Sequence, residues 1–201
     1  MNAVLTPTKM TPEEYLAWEG GQSQKHEYVG GEVFAMTGAR LNHNRIALNG
    51  AVALRSALRG QPCGVFIGDV KVAVAAGEAW LYPDVVVSCD PRDLADGSAT
   101  SIAHPWFVVE VLSDSTAAYD RGLKFELYRA LPALTHYLLV EQTRAHADLF
   151  RKNAQGQWVL HPLDGSDSVQ VDLPHAFGLA VSDLFEGVAF DPAEGAGQTP
   201  S

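Results

Sequence analysis

Two rhythms of apolar positions run through this chain. From Asn42 to Arg59, Ile46, Gly50, Ala53, Leu54, Ala57 and Leu58 recur at helical spacing and Gly60 stops the run, which predicts its strongest helix. Elsewhere short runs of β-branched and aromatic residues prevail. Leu81-Tyr82-Pro83-Asp84-Val85-Val86-Val87 and Trp106-Phe107-Val108-Val109-Glu110-Val111-Leu112 each read as a fully buried strand. Over residues 65–74, Val70, Val72 and Val74 alternate with Lys71 and Ala73, a half-exposed strand with Asp69 where it begins.

Turn and cap residues divide the remainder. Thr11-Pro12-Glu13-Glu14 carries the N-cap, first-turn proline and return carboxylate of a capping box, so a short helix begins there. Lys25–Val29 and Glu32–Met36, joined by Gly30-Gly31, predict a β-hairpin. A helix is expected from Asp120 to Leu131, closed by Pro132, and then a strand over Thr135–Glu141. Asp148–Arg151 and Trp158–Leu160 flank Asn153-Ala154-Gln155-Gly156 as a second hairpin. Val169–Leu173 reads as a strand and Ser182–Phe185 as a last turn of helix. From Asp191 onward Pro, Gly, Ala and Glu dominate and predict disorder, leaving one domain over residues 1–190.

Composition changes this picture in three places. Hydrophobic content of 47% with 19% charged residues is that of a soluble globular domain. No apolar run reaches the ~20 residues of a bilayer span, and the N-terminus lacks the basic and apolar regions of a signal peptide, so a cytoplasmic protein is expected. Cys63 and Cys89 match no metal-binding or redox spacing and read as reduced structural thiols. The net charge of −10 argues against indiscriminate DNA binding but is uneven. Residues 163–201 hold seven acids and no Lys or Arg, whereas residues 33–68 hold Arg40, Arg45, Arg55 and Arg59 and no acid. Such a basic segment can meet phosphates, or can simply be a solvated helix face.

The candidate chemistry sits in the two apolar runs. Each buries one carboxylate, Asp84 or Glu110, at a cost of several kcal/mol unless a cation or hydrogen-bond donors compensate. Strands ~4.8 Å apart would let both carboxylates hold one divalent ion. Lys124, in the helix after the second run, could fold back over them. A pair of acids with a lysine is the equipment of a metal-dependent phosphodiesterase. Glu27, His43, Arg45, Asp69 and Tyr128 are candidates for supporting or substrate-binding roles. Exposed hairpin carboxylates and lone histidines near helix starts more often only meet solvent. Asp90, Asp93 and Asp96, in the long stretch 88–105, lack calcium-loop spacing and read as solvent-facing. No Walker, GxGxxG, GxSxG, HExxH or zinc-finger pattern occurs.

The blocks Tyr82-Pro83-Asp84-Val85-Val86-Val87, Val109-Glu110-Val111-Leu112-Ser113 with Ser115-Thr116, and Asp120-Arg121-Gly122-Leu123-Lys124-Phe125 with Tyr128 resemble the Uma-type restriction endonucleases of the PD-(D/E)XK superfamily. His26-Glu27-Tyr28-Val29-Gly30-Gly31-Glu32 also fits, and the resemblance spans roughly residues 10–187. It implies an α/β (α+β) fold with a restriction-endonuclease-like core. A mixed central β-sheet would be flanked by helices, with hairpin additions at both ends. It implies Asp84, Glu110 and the Val111 carbonyl as ligands of Mg²⁺ or Mn²⁺, and nucleic acid, DNA first, as partner. In the superfamily the lysine stands two residues after the acid; Leu112 is there, so the role passes to Lys124. A homodimer would suit double-strand cleavage. Two rival readings use the same fold: a non-catalytic nucleic-acid-binding or regulatory protein, and a metal-free domain with Asp84 paired to Lys124 or an arginine.

Overall fold

The structure is a computed structural model that describes residues 9–36, 38–171 and 175–191. The expected disordered tail lies almost wholly outside the described residues. Helix α1 (Pro12–Glu19) opens with the expected box: Glu14 N–H donates to Thr11 Oγ1 and Thr11 N–H to Glu14 Oε2. Strands β1 (His26–Val29) and β2 (Glu32–Ala35) form the hairpin, and Gly30 and Gly31 supply the positive φ values, 57° and 99°, of its two-residue turn. The long helix α2 (Leu41–Ala57) buries Ile46, Gly50, Ala51 and Leu54.

The middle of the chain departs from the expected pattern. Residues 65–74 form two strands, β3 (Gly64–Ile67) and β4 (Lys71–Val74), with Gly68 at φ 54° between them. After a 3₁₀ turn (Ala75–Gly77), the run expected as one strand over 81–87 is also two: β5 (Ala79–Leu81) and β6 (Val85–Ser88). Pro83 lacks an amide hydrogen and cannot extend a ladder through the second break. The two breaks face one another, with Gly68 N–H donating to the Asp84 carbonyl at 3.2 Å. Here the chain crosses between sheets twice, since β3 and β6 pair in one and β4 and β5 in another.

The stretch after β6 holds a short helix, α3 (Pro91–Leu94), and a short strand, β7 (Ser101–Ile102), parallel to β4. Its acids are not all solvent-facing. The Asp93 side chain is only 5% exposed and accepts hydrogen bonds from Ser88 Oγ, the amides of Ala103 and His104, and His104 Nδ1. Next come β8 (Phe107–Leu112), α4 (Ala117–Tyr119), one π-helical turn (Asp120–Lys124) and α5 (Phe125–Arg129). The chain ends in β9 (His136–Glu141), β10 (His146–Lys152), β11 (Trp158–Asp164), β12 (Ser168–Val171), β13 (Phe177–Ala180) and α6 (Val181–Leu184). β13 had no sequence signal strong enough to be expected.

The expected mixed α+β architecture is present, built on a six-stranded sheet ordered β11-β10-β9-β8-β6-β3. Within it β8 and β9 run parallel and the other neighbours antiparallel. A five-stranded sheet, β2-β1-β5-β4-β7, and the β12–β13 pair complete it. Every residue of β8 is buried, because the strand has a core on each face. Val109 and Val111 pack with Ile46 and Leu54 of α2 and Leu184 of α6. Val108 and Leu112 pack with Phe125, Tyr128 and Tyr137, together with Val72 and Leu81 of the five-stranded sheet.

The cysteines are not separate thiols: Cys63 and Cys89 form a disulfide. Gly64 pairs with Ser88 across β3 and β6, so the residues one step outward stand opposite each other, with Cα atoms 4.1 Å apart. A separation of 26 residues gives no hint of that pairing.

Asp93→Ala should cost about 2–3 kcal/mol, because it strands several donors around a buried acceptor. Urea unfolding checks this, and a loss within the error of the midpoint would show that the 88–105 segment is independent of the fold.

Candidate active site

Side chains alternate along β8, so Glu110 shares a face with Val108 and Leu112, the face covered by the π turn and α5. That turn has one residue more than an α-helical turn and turns the charged side chains inward. Leu123 is left 45% exposed while Lys124 is 4% exposed, so the lysine folds back over the carboxylate strand. The Lys124 ammonium stands 2.8 Å from Glu110 Oε1, 3.0 Å from Glu27 Oε1 and 3.7 Å from Asp120 Oδ1. All four side chains are buried. The Tyr128 hydroxyl donates to Glu110 Oε1 at 3.1 Å, and Glu27, brought by β1, accepts from the Tyr82 amide at 3.0 Å.

Asp84 lies in the break just before β6, not inside a strand, and its side chain is 21% exposed. The register Val85↔Val109 brings it beside the Glu110–Val111 segment. There Oδ2 accepts from the Val111 amide at 2.7 Å and Oδ1 from His43 Nε2 at 2.9 Å. His43 reaches it from the first turn of α2. These side chains line one wall of a cleft of about 430 Å³, which Lys25, Arg40, Tyr119, Asp120 and Gln142 help to close. Gln142 Oε1 is buried and, among the described residues, has no hydrogen-bond partner.

The electrostatics follow from burial first and from the surrounding charges second. Burial pushes the Glu110 carboxyl well above the ordinary range; Lys124 opposes that rise, and Asp120, Asp84 and Glu27 add to it. Asp120 is raised too, by burial first, with Lys124 again opposing. Burial works against the Lys124 charge, yet Glu110, Glu27 and Asp120 outweigh it and hold the ammonium firmly protonated. Tyr128 is pushed up by burial and by Glu110, so it stays a donor.

The structure thus brings Glu27, His43, Asp84, Glu110, Val111, Lys124 and Tyr128 into one constellation. Arg45 and Asp69 are elsewhere. Arg45 donates to the Gly187 carbonyl, and Asp69, with its side chain 82% exposed, pairs with Lys25 beside the cleft. Asp120 was not singled out from sequence as a site residue. Its signal was the series Asp120, Lys124, Tyr128 at four-residue spacing, which puts the three side chains on one side of a helix.

A profile of the Uma2 family, described as a putative restriction endonuclease, matches residues 12–182. The chain belongs to that family. An uncharacterized protein of Synechocystis sp. is 41% identical over 184 residues, covering 90% of this chain and 94% of that protein. A second from the same organism is 33% identical over 168 residues, covering 84% and 95%. Among solved structures, a putative nuclease belonging to DUF820 from Anabaena variabilis superposes with a TM-score of 0.71 at 17% identity. That match covers 90% of this chain and 99% of the other, and it shows the shared fold. Among the described residues no helix is long and apolar enough to cross a membrane.

Two variants separate the charges of the cluster. Lys124→Ala leaves buried acids without their cation and should cost about 3–5 kcal/mol. Asp120→Asn should instead raise stability at pH 7 in chelator-containing buffer. A carboxyl whose folded pKa is raised holds its proton longer folded than unfolded, so it lowers stability as pH climbs from about 3.9 towards the folded value. Unfolding titrations across that range should find the decline smaller in Asp120→Asn. An unchanged pH profile would mean that Asp120 does not feel its neighbours.

Proposed function

We propose that this protein is an endonuclease that hydrolyses phosphodiester bonds of nucleic acid, DNA before RNA, with Mg²⁺ or Mn²⁺. The observation that carries the reading is the buried lysine. Lys124 arrives from the π turn, stands 2.8 Å from Glu110, and lines the cleft that Asp84 also lines.

The donor set suits a hard divalent ion in kind. Asp84 and Glu110 with the Val111 carbonyl offer oxygen ligands, and a magnesium-like ion keeps several waters beside one or two carboxylates. The excess of buried acid favours a bound cation, and Gln142 Oε1 offers an acceptor in the same wall. When bound, the ion supplies Lewis acidity towards a phosphodiester oxygen and a more acidic water.

The chain's own groups do the remainder. Lys124 orients the attacking water and offsets charge on the pentacovalent phosphate. Glu27 and Asp120 hold the ammonium, and Tyr128 holds Glu110. His43 holds Asp84 at the edge of the cleft, and Arg40, exposed beside Asp114 at 3.7 Å, is placed to meet a backbone phosphate. A symmetric dimer would present two such clefts to a duplex. The metal-free rival with Asp84 paired to Lys124 or an arginine loses ground, because Asp84 pairs with His43, and Lys124 with Glu110, Glu27 and Asp120.

The test is cleavage of supercoiled plasmid and of single-stranded DNA with Mg²⁺ or Mn²⁺ by the parent, Asp84→Asn and Lys124→Ala, each first checked for folding by circular dichroism. The parent should nick only with metal, and each variant should be slower by about a hundredfold or more. Cleavage by Asp84→Asn at the parent rate would mark the activity as contamination. Metal-independent DNA binding without cleavage would instead support the binding-protein reading.

A further inference from the structure

Cys63, Cys89 and His175 meet away from the acidic cleft. Their three ligand atoms, two Sγ and one imidazole nitrogen, all lie within 4.8 Å of one another, and each residue is half-buried. Three separate parts of the fold bring them together. Cys63 precedes β3, Cys89 follows β6, and His175 stands before β13. The β3–β6 register holds the two cysteines opposite each other, and the edge of Trp106 packs against the His175 ring at 6.2 Å. The Trp106 ring thus packs on the imidazole that stands beside the sulfurs.

We propose that the reduced chain holds a zinc ion on Cys63, Cys89 and His175, and that the disulfide and the metal-bound form are alternative states of one site. Two thiolates and an imidazole are soft and borderline ligands that favour Zn²⁺ over the hard ions expected at the acidic cleft. Three protein ligands leave a fourth, tetrahedral position for water or another small ligand. A phosphine reductant opens the S–S bond by taking the oxygen of one water to become a phosphine oxide, which releases two thiols. Each thiol then gives up its proton as it coordinates the metal. The strands already hold the cysteine Cα atoms 4.1 Å apart, so both sulfurs stand on one side of the candidate site with the imidazole. A bound ion would tie β3, β6 and the β12–β13 connection together just as the disulfide ties the first two. The site is independent of the nuclease reading.

The full chain, reduced with a phosphine and freed of reductant anaerobically, is titrated with Co²⁺ as a spectroscopic substitute and then with Zn²⁺. The expected result is about one equivalent of Co²⁺ with a thiolate-to-cobalt charge-transfer band and the intense visible bands of a tetrahedral ion, displaced by Zn²⁺. The unreduced chain and Cys63→Ser/Cys89→Ser should lack the thiolate band, and His175→Ala should bind at least about tenfold more weakly. Glu110→Gln should keep the band, which separates this site from the acidic cleft. The absence of a thiolate band in the folded, reduced parent would overturn the proposal, as would equal affinity in His175→Ala. His175 lies outside any strand or helix, so its variant should fold, with circular dichroism as the check.

Discussion

A buried ammonium surrounded by carboxylates is the constraint on which this structure turns. Lys124 lies among Glu27, Glu110 and Asp120, which come from the first hairpin, the central strand and the π turn. Two charges taken from water cost several kcal/mol each, and their attraction offsets that cost only where the geometry and added hydrogen bonds are good. Here the added bonds are specific: Tyr128 on Glu110 and the Tyr82 amide on Glu27. Each also ties the cluster to another element, so the cluster fixes the first hairpin, the Tyr82–Asp84 break and the helix after β8 relative to one another. Burial of ions adds little net stability, but it strongly disfavours any packing that parts the lysine from its acids.

The cleft exists because two strands break at the same level. Had residues 64–74 and 79–88 run on as continuous strands, the sheets would close over the space beside Glu110. Instead Gly68 and Pro83 end the ladders opposite each other, and the chain moves from the six-stranded sheet to the five-stranded sheet and back. Asp84 occupies the second crossing. It is therefore partly open to solvent, while its backbone neighbours are fixed by Val85–Val109 pairing. A side chain at a strand's end is held by the sheet yet meets the cleft.

Much of this was legible in the residues. The capping box, the Gly30-Gly31 hairpin, α2 and the valine-rich runs depend on local chemistry, and local chemistry is what a sequence displays. The strand breaks were less so, because Val70–Val74 and Leu81–Val87 keep a strand-like composition through the point where pairing changes sheets. Pro83 was the available sign. Lys124 was placed near the acids by its position after β8, but its burial was not legible: amphipathic spacing assigns the inner face to Leu123 and Leu127, and the π turn shifts the register. Asp120 was missed for the same reason. The Cys63–Cys89 bond is a tertiary consequence of β3 pairing with β6, and no spacing rule reports it.

Lys124 enters the space beside Glu110 from the covering helix and not from the strand. Residues 110 and 112 share a face of β8, so a lysine at 112 would have reached the same space from below. That face is covered by α5, and Leu112 there packs with Phe125 and Tyr128 in a dry core. The ammonium comes instead from the covering helix, and the strand position at Leu112 contributes burial. The helix must then bury charged side chains on its inner face, which regular α-helical spacing does not do here. The π turn supplies that local change of register, and Asp120, four residues before Lys124, joins the ammonium through it. The inward lysine, the irregular turn and Asp120 therefore meet at one place, directly over the apolar core that holds Leu112.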